Sequence, residues 1–514
     1  MKKYLFPCVA LLGMSAAAQA QELPSHEEVA ECFVSLPDTL APNGGVDCGY
    51  VTVAQNRSGE ATGEIELAYL RMQAAEETGA PPLFMLAGGP GQTLISEMEL
   101  ALFQPELLGG LLASRDVVLL EQRGSFRAKP ALTCPEVKPL SLQALSQGLN
   151  EAEAEALASE TLQSCIDRHA GAGVDFSSYN SVENAADIDD VRAALGYEKI
   201  VFYGASYATL LGQFYMRAFP DHLAAVVLDG VESPTTKSWV QDRAKRASWG
   251  LNRMTELCLD QANCAANFDI PGLVDEIFGV LGTEPKMVTV PLPEGTDLSG
   301  DVQVEVGPEE LAATLYGLQT SKYGAAALPV FLSEQIAAGP EALSEMLASQ
   351  TVNEAVASLS DDESGSVMLM HMAMVCSDDP PHALDEEDTS GSGVYAASFA
   401  SSVARQYVAL CDILNVAELP ETSDEPVDTD VPVLLLSGGL DVQTPYFLAE
   451  DVASHLPNAT HVIFPAGFHV QLANLNRCAL SILEGFLNDP ASDLDTGCLS
   501  KEAELSFLVP EQAE

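Results

Sequence analysis

The 514-residue chain is 47% hydrophobic and 19% charged, enough for a large core in one big domain with an insertion, or in two or three average ones. Its 75 Asp and Glu against 23 Lys and Arg give a formal charge of −52. Such a surface repels phosphate backbones and anionic lipid, which argues against a nucleic-acid partner; the excess reads as a solvated acidic shell suited to salty or acidic surroundings.

The opening run MKKYLFPCVALLGMSAAAQA sets Lys2 and Lys3 before an apolar stretch and an Ala-Gln-Ala cleavage site at 18–20. Residues 1–20 read as a secretory signal peptide, so the mature chain is expected to be exported, to a periplasm or outside the cell. No later stretch approaches the ~20 apolar residues of a membrane span, and no membrane anchor is expected.

Further along, YVTVAQ and EIELAYLRM alternate like antiparallel strands around a turn in NRSGEATG. The glycine-bounded runs in PLFMLAGGPG, DVVLLEQRG and KIVFYGAS suit strands buried on both faces of a mostly parallel sheet. Residues 181–196 read as an amphipathic crossover helix, followed by the strand AAVVLDG. From 233 to 429 this rhythm gives way to helical stretches, a small β pair at KMVTVPLP and DVQVEVG, and acidic loops such as SDDESGS and LDEEDTSGSG. It resumes with VPVLLLSGG and THVIFPAG. The expected organisation is an α/β domain in two parts, 21–232 and 430–514, with a mainly helical insertion at 233–429. The run MLMHMAM around His371 reads as core filling rather than a thioether and imidazole copper site.

Beyond the signal segment the chain has ten cysteines, an even number that favours disulfides in an exported protein. Neighbour pairing would join Cys32 with Cys48, Cys134 with Cys165, Cys258 with Cys264, Cys376 with Cys411, and Cys478 with Cys498, although spacing alone does not fix connectivity. The lack of a CxxC or a Cys/His cluster argues against zinc, and no metal or cofactor is expected.

A hydroxyl becomes a useful nucleophile only when a base takes its proton and donors hold the resulting oxyanion. VFYGASYATLLG places Ser206 between a strand and a helix, the context of a sharp turn that presents its oxygen and leaves the Tyr207 N–H free to donate. The glycine loop AGGPG after the strand LFML offers a second donor, the N–H of Gly89. Of the eight histidines only His469, in FPAGFHV, stands on a loop after a late strand. Asp441, in LLLSGGLDVQTP, follows the strand before it and would orient the imidazole, whereas Asp451 falls within a helical run. The order Ser206, Asp441, His469 is that of α/β-hydrolases.

At these motifs, with EQRGSFRAKPALTC and the run from DIDDVRAALG to VVLDGV, the chain resembles the exported tripeptidyl aminopeptidases, relatives of proline iminopeptidase among α/β-hydrolase serine peptidases. The resemblance covers both parts of the α/β domain and is far weaker over the insertion. Three positions depart from the family pattern: Ala87 opens the glycine loop where a histidine is usual, Glu121 replaces an aspartate, and Ala208 stands for the last glycine of Gly-x-Ser-Tyr-Gly. The resemblance implies an α/β-hydrolase fold with a mostly parallel sheet and the insertion as a cap. It also implies an aminopeptidase acting on short peptides, with a carboxylesterase using the same triad as the alternative. Asp378 and Asp379, in VCSDDPP beside Cys376, resemble the family's acidic stretch and are the expected anchors for a substrate ammonium.

Overall fold

The computed structural model describes residues 23–34, 45–58, 63–96, 110–236, 240–293, 300–359, 366–381, 389–502 and 504–509. The signal segment 1–20 and parts of the acidic loops SDDESGS and LDEEDTSGSG lie outside the described residues.

Three antiparallel strands, β1 (Ser25–Glu28), β2 (Val46–Ala54) and β3 (Glu64–Met72), open the sheet. Next come β4 (Leu83–Leu86), β5 (Val117–Leu120), β6 (Ile200–Ala205) and β7 (Leu223–Asp229). A separate antiparallel pair is formed by β8 (Lys286–Pro291) and β9 (Asp301–Val306), and β10 (Val433–Gly438) and β11 (Ala459–Phe464) complete the main sheet. Its order is β1-β2-β3-β5-β4-β6-β7-β10-β11 in nine strands, parallel from β5 to β11.

The helices are, in chain order, α1 (Leu140–Gln147), α2 (Glu151–Gly171), α3 (Ser181–Ala194), α4 (Tyr207–Ala218), α5 (Arg243–Asp260), α6 (Ala262–Asn267) and α7 (Ile270–Leu281). They continue as α8 (Pro308–Gln319), α9 (Lys322–Ala338), α10 (Pro340–Ala357), α11 (Met368–Asp378), α12 (Val394–Leu414), α13 (Tyr446–Ser454) and α14 (Arg477–Asn488).

The short apolar runs are strands because each feeds two cores. On β4, Phe84 and Leu86 join one hydrophobic cluster while Leu83 and Met85 join the other; on β5, Val118 and Leu120 oppose Val117 and Leu119 in the same way. Helices α3 and α4 cover the first face through Ile188, Val191, Leu211 and Phe214, and α14 covers the second through Ile482, Leu483 and Phe486. With both faces covered, alternation of polar and apolar residues disappears from the strand sequence.

Between β7 and β10 a third core gathers Met254, Ile277, Leu311, Leu332 and Leu347 of α5 and α7–α10 with Val290 and Val304 of the small β pair. Helix α11 does not belong to it. Its Leu369, Met370, Met372 and Met374 lie in the cluster under the main sheet, beside Phe202 and Tyr207. The cysteines pair as neighbours, in the disulfides 32–48, 134–165, 258–264, 376–411 and 478–498. The fourth of these fastens α11 to α12.

Candidate active site

Strand β6 ends at Ala205 and helix α4 starts at Tyr207, so Ser206 makes the whole turn between them. It does so at φ 54°, ψ −124°, a left-handed φ that a residue bearing a side chain holds only when its surroundings enforce it. Ser206 N donates to Asp229 O at 2.9 Å, and Thr209 N donates to Ser206 O at 2.8 Å. Two close approaches explain the small residues nearby. A Cβ on Gly204 would lie 2.3 Å from the Ala208 carbonyl oxygen, and one on Gly88 would lie 2.7 Å from Ser206 Cβ. The loop after β4 therefore runs directly against the serine side chain. Ala208 itself is fully buried in the core under the sheet, where its methyl is accommodated.

Gly89 and Tyr207 line one cavity with Ser206. Tyr207 opens α4, a position whose N–H has no preceding helical turn to accept it. The loop from Ala87 is held from behind: Gln122 Nε2 donates to Ala87 O at 2.6 Å, and Asn184 Nδ2 donates to Gln122 Oε1 at 3.0 Å. Glu121, at the position where the resemblance leads one to expect aspartate, is buried and accepts from the hydroxyls of Thr93 and Ser125.

Asp441 and His469 stand on the loops after β10 and β11, where the sequence places them. His469 Nδ1 lies 2.8 Å from Asp441 Oδ2. The remaining capacity of that carboxylate is filled by Gln443 N (2.9 Å), Thr444 N (3.0 Å) and Thr444 Oγ1 (2.6 Å). An acceptor at Nδ1 puts the proton there and leaves Nε2 as the basic nitrogen. Burial alone would raise Asp441, but the charge and hydrogen bond of His469 and the bonds from Thr444 hold it below the ordinary aspartate value. Burial alone would lower His469, yet Asp441, Asp229 and Glu232 together raise it above the ordinary imidazole value. Asp451 on α13 bonds instead to Ser233 and Thr235, each at 2.6 Å.

Asp229 was not singled out in the sequence, although an acid closing the apolar run AAVVLDG is a signal that could have found it. Its backbone carbonyl holds Ser206 N, while its carboxylate accepts from Gln471 N (2.8 Å), Leu472 N (2.9 Å) and the Tyr203 hydroxyl (3.0 Å). One residue thus ties the serine turn to the histidine loop. Burial pushes it up to about 6 against those bonds. Thr444 and Gln122 escaped notice as well, because their partners are recognisable only once the loops converge.

Asp378 and Asp379 line the same cavity as Ser206, as do Glu232, Asp424 and, among the described residues, one guanidinium, that of Arg243. Asp378 accepts from Ser181 N at 2.9 Å and Ser181 Oγ at 2.5 Å, and Ser181 Oγ meets the Tyr207 hydroxyl at 2.7 Å. Burial pushes its carboxyl up to about 7, outweighing the Ser181 bonds. Glu232 is neutralised by Arg246 through bonds of 2.7 and 2.8 Å. Leu210, Phe214 and Val375 supply an apolar wall. Among the described residues, the cluster of Cys134, Cys165 and His169 has the spacing of a metal site, but its two sulfurs are joined in a disulfide and unavailable as thiolate ligands.

Two protein families match the chain, one described as alpha/beta hydrolase fold over residues 81–265 and one described as TAP-like protein over residues 396–498. Serine protease Hip1 of Mycobacterium tuberculosis is 29% identical over 283 residues, 53% of this chain and 53% of its own length. Tripeptidyl aminopeptidase of Streptomyces coelicolor is 29% identical over 206 residues, 38% of this chain and 37% of its own. The chain thus spans about half the length, or less, of these curated relatives. A solved proline iminopeptidase of Mycobacterium smegmatis aligns over 83% of this chain and 96% of its own, with 14% identity and a TM-score of 0.38, a likeness too remote to bear on function. By its family matches and its strand order the chain has the α/β-hydrolase fold, with a TAP-like region over residues 396–498.

Proposed function

We propose that the protein is an exported aminopeptidase that cleaves short peptides at their N-terminal end through Ser206, His469 and Asp441. The observation that carries this reading is the cavity beside Ser206, whose wall includes Asp378, Asp379 and Asp424, besides the Glu232 that Arg246 neutralises, against Arg243 as the one base among its described lining residues. A peptide's free ammonium loses its hydration on entering such a cavity and is stable there only beside carboxylates. The names of the two relatives point the same way. Five disulfides suit an oxidising compartment, which agrees with the signal-like opening of the sequence.

In the proposed reaction His469 Nε2 takes the Ser206 hydroxyl proton as the oxygen attacks the carbonyl carbon. The N–H groups of Gly89 and Tyr207 hold the oxyanion. Protonated His469, stabilised by Asp441, then gives its proton to the departing amine nitrogen, and the C–N bond breaks to leave an acyl-enzyme on Ser206. A water deprotonated by His469 attacks that ester and frees the serine. Losing one oxyanion donor in such sites costs about a hundred- to thousandfold in rate.

The test is turnover of peptidyl nitroanilides with free and with acetylated amino termini. The free-amine substrates should be cleaved at least tenfold better, and Ser206→Ala should abolish cleavage while the circular dichroism spectrum stays unchanged. Equal turnover of the two substrate sets, or faster cleavage of simple esters than of either, would replace the aminopeptidase by a carboxylesterase.

A further inference from the structure

Helix α11 lies against both candidate oxyanion donors at once. At its N-terminal end Val367 N donates to Gly91 O at 3.0 Å, and a Cβ on Gly91 would come within 3.0 Å of Val367 O and 3.2 Å of Met370 Sδ. One turn on, His371 Nδ1 lies 3.2 Å from Pro90 O, and its Nε2 lies 2.6 Å from the hydroxyl of Tyr407 on α12. At the C-terminal end Asp378 reaches Tyr207 through Ser181. The Cys376–Cys411 disulfide joins the two helices that carry His371 and Tyr407.

The loop these contacts hold has little of its own to fix it. Gly88, Gly89 and Gly91 contribute no side chains, and Gly89 and Gly91 adopt φ of 107° and 93°, where glycine moves freely. The direction of the Gly89 N–H is then set by bonds to the carbonyls of its loop, beginning with that of Gly88 on the same peptide plane, which accepts from Gln92 N at 3.3 Å. Gln122 holds the carbonyl of Ala87, and His371 holds that of Pro90. We propose that His371 is a positioning residue for the oxyanion loop: its Nδ1–H grips the Pro90 carbonyl and so aims the Gly89 N–H at the carbonyl attacked by Ser206. The inference rests on the triad reading given above. Burial holds the imidazole down, to about 4, so near neutral pH it is uncharged. The Pro90 carbonyl can only accept, which fixes the proton on Nδ1 and makes the Tyr407 hydroxyl the donor to Nε2. An apolar side chain at 371 could not hold a carbonyl.

The experiment compares His371→Leu with His371→Asn, whose Nδ2 can donate where the imidazole Nδ1 did, in the full-length protein. His371→Leu should lower kcat by about 10- to 100-fold with KM within about threefold of the wild type, and slow fluorophosphonate labelling of Ser206 in step. His371→Asn should recover at least tenfold of the lost kcat at an equal thermal midpoint. If His371→Leu fails to fold, Tyr407→Phe, which removes the hydroxyl that meets Nε2, should lower kcat with KM unchanged. Equal losses in the Leu and Asn variants, a change confined to KM, or wild-type kcat in His371→Leu or Tyr407→Phe would overturn the positioning role. Absence of Ser206 labelling in the wild type would instead overturn the triad reading on which it rests.

Discussion

A carboxyl titrating near neutrality, as Asp378 does at about 7, makes both binding and stability depend on pH. In the aminopeptidase reading, KM for a free-amine peptide falls as pH rises through 7 and Asp378 ionises, then rises again above about 8 as the peptide's own ammonium loses its proton. Asp378→Asn should raise KM severalfold at pH 7.5 and flatten its acid-side dependence, read from initial rates between pH 5.5 and 9. The sign for stability is opposite to that of a salt-bridged aspartate. The folded value lies above the reference of 3.8, so the native state binds the proton more tightly, and stability falls as pH climbs from about 4 to 7. Asp378→Asn is therefore expected to unfold at a higher temperature than the wild type at pH 8, by about 4 kcal/mol of stability, and to match it at pH 4. A gap that is the same at both pH values would contradict this account.

At the scale of elements, the proposed catalysis depends on the loop after β4 lying flat against the serine turn. Gly88→Ala adds a methyl 2.7 Å from Ser206 Cβ and 2.9 Å from Ala205 O, so one of the two chains must move. The expected result is a loss of about a hundredfold in kcat with an unchanged far-ultraviolet spectrum. A variant of full activity would show that the loop has slack there. How far such elements can be read in advance depends on where their partners come from. Strands such as LFML and VLLLSG announce themselves because burial on both faces leaves a purely apolar run between glycines. Asp441 stands out because it sits on a loop directly after such a run, and His469 because it is the histidine on the loop after the late, partly buried edge strand β11. Asp229, Gln122 and His371 do not, since the chain carries no local mark of a partner that tertiary packing alone supplies. His371 is 281 residues from the carbonyl it holds. The pattern MLMHMAM correctly suggests a buried helix, as its methionines are, but gives no hint that the histidine faces the glycine loop. Asp378 and Asp379 were suggested by resemblance alone; the cavity brings both to Ser206, while the Ser181 bonds and the near-neutral carboxyl of Asp378 are properties only of the folded chain.

For the molecule as a whole, the formal charge of −52 is a standing repulsion that each ion pair relieves only locally. Arg57 illustrates this, bonding Glu183, Asp187 and Asp190 at 2.6–2.7 Å, in a cluster of three acids whose second base is Arg123, 2.7 Å from Asp187. Added salt screens the long-range repulsion over a shrinking distance, from about 10 Å at 0.1 M to 3 Å at 1 M. The thermal midpoint should accordingly climb by several degrees between 0.05 and 1 M sodium chloride, measured by calorimetry, and a flat or falling midpoint would mean that close pairs dominate. Connectivity acts at this scale too. Strand β10 takes its place beside β7, with Val433 opposite Val226, although all of α5 to α12 lies between them in the chain. A ribosome therefore finishes the serine turn long before it supplies the acid and the base. In the proposed triad, every nascent fragment that ends short of His469 carries its serine turn without its base, so the chemistry stays out of reach until that loop has been made.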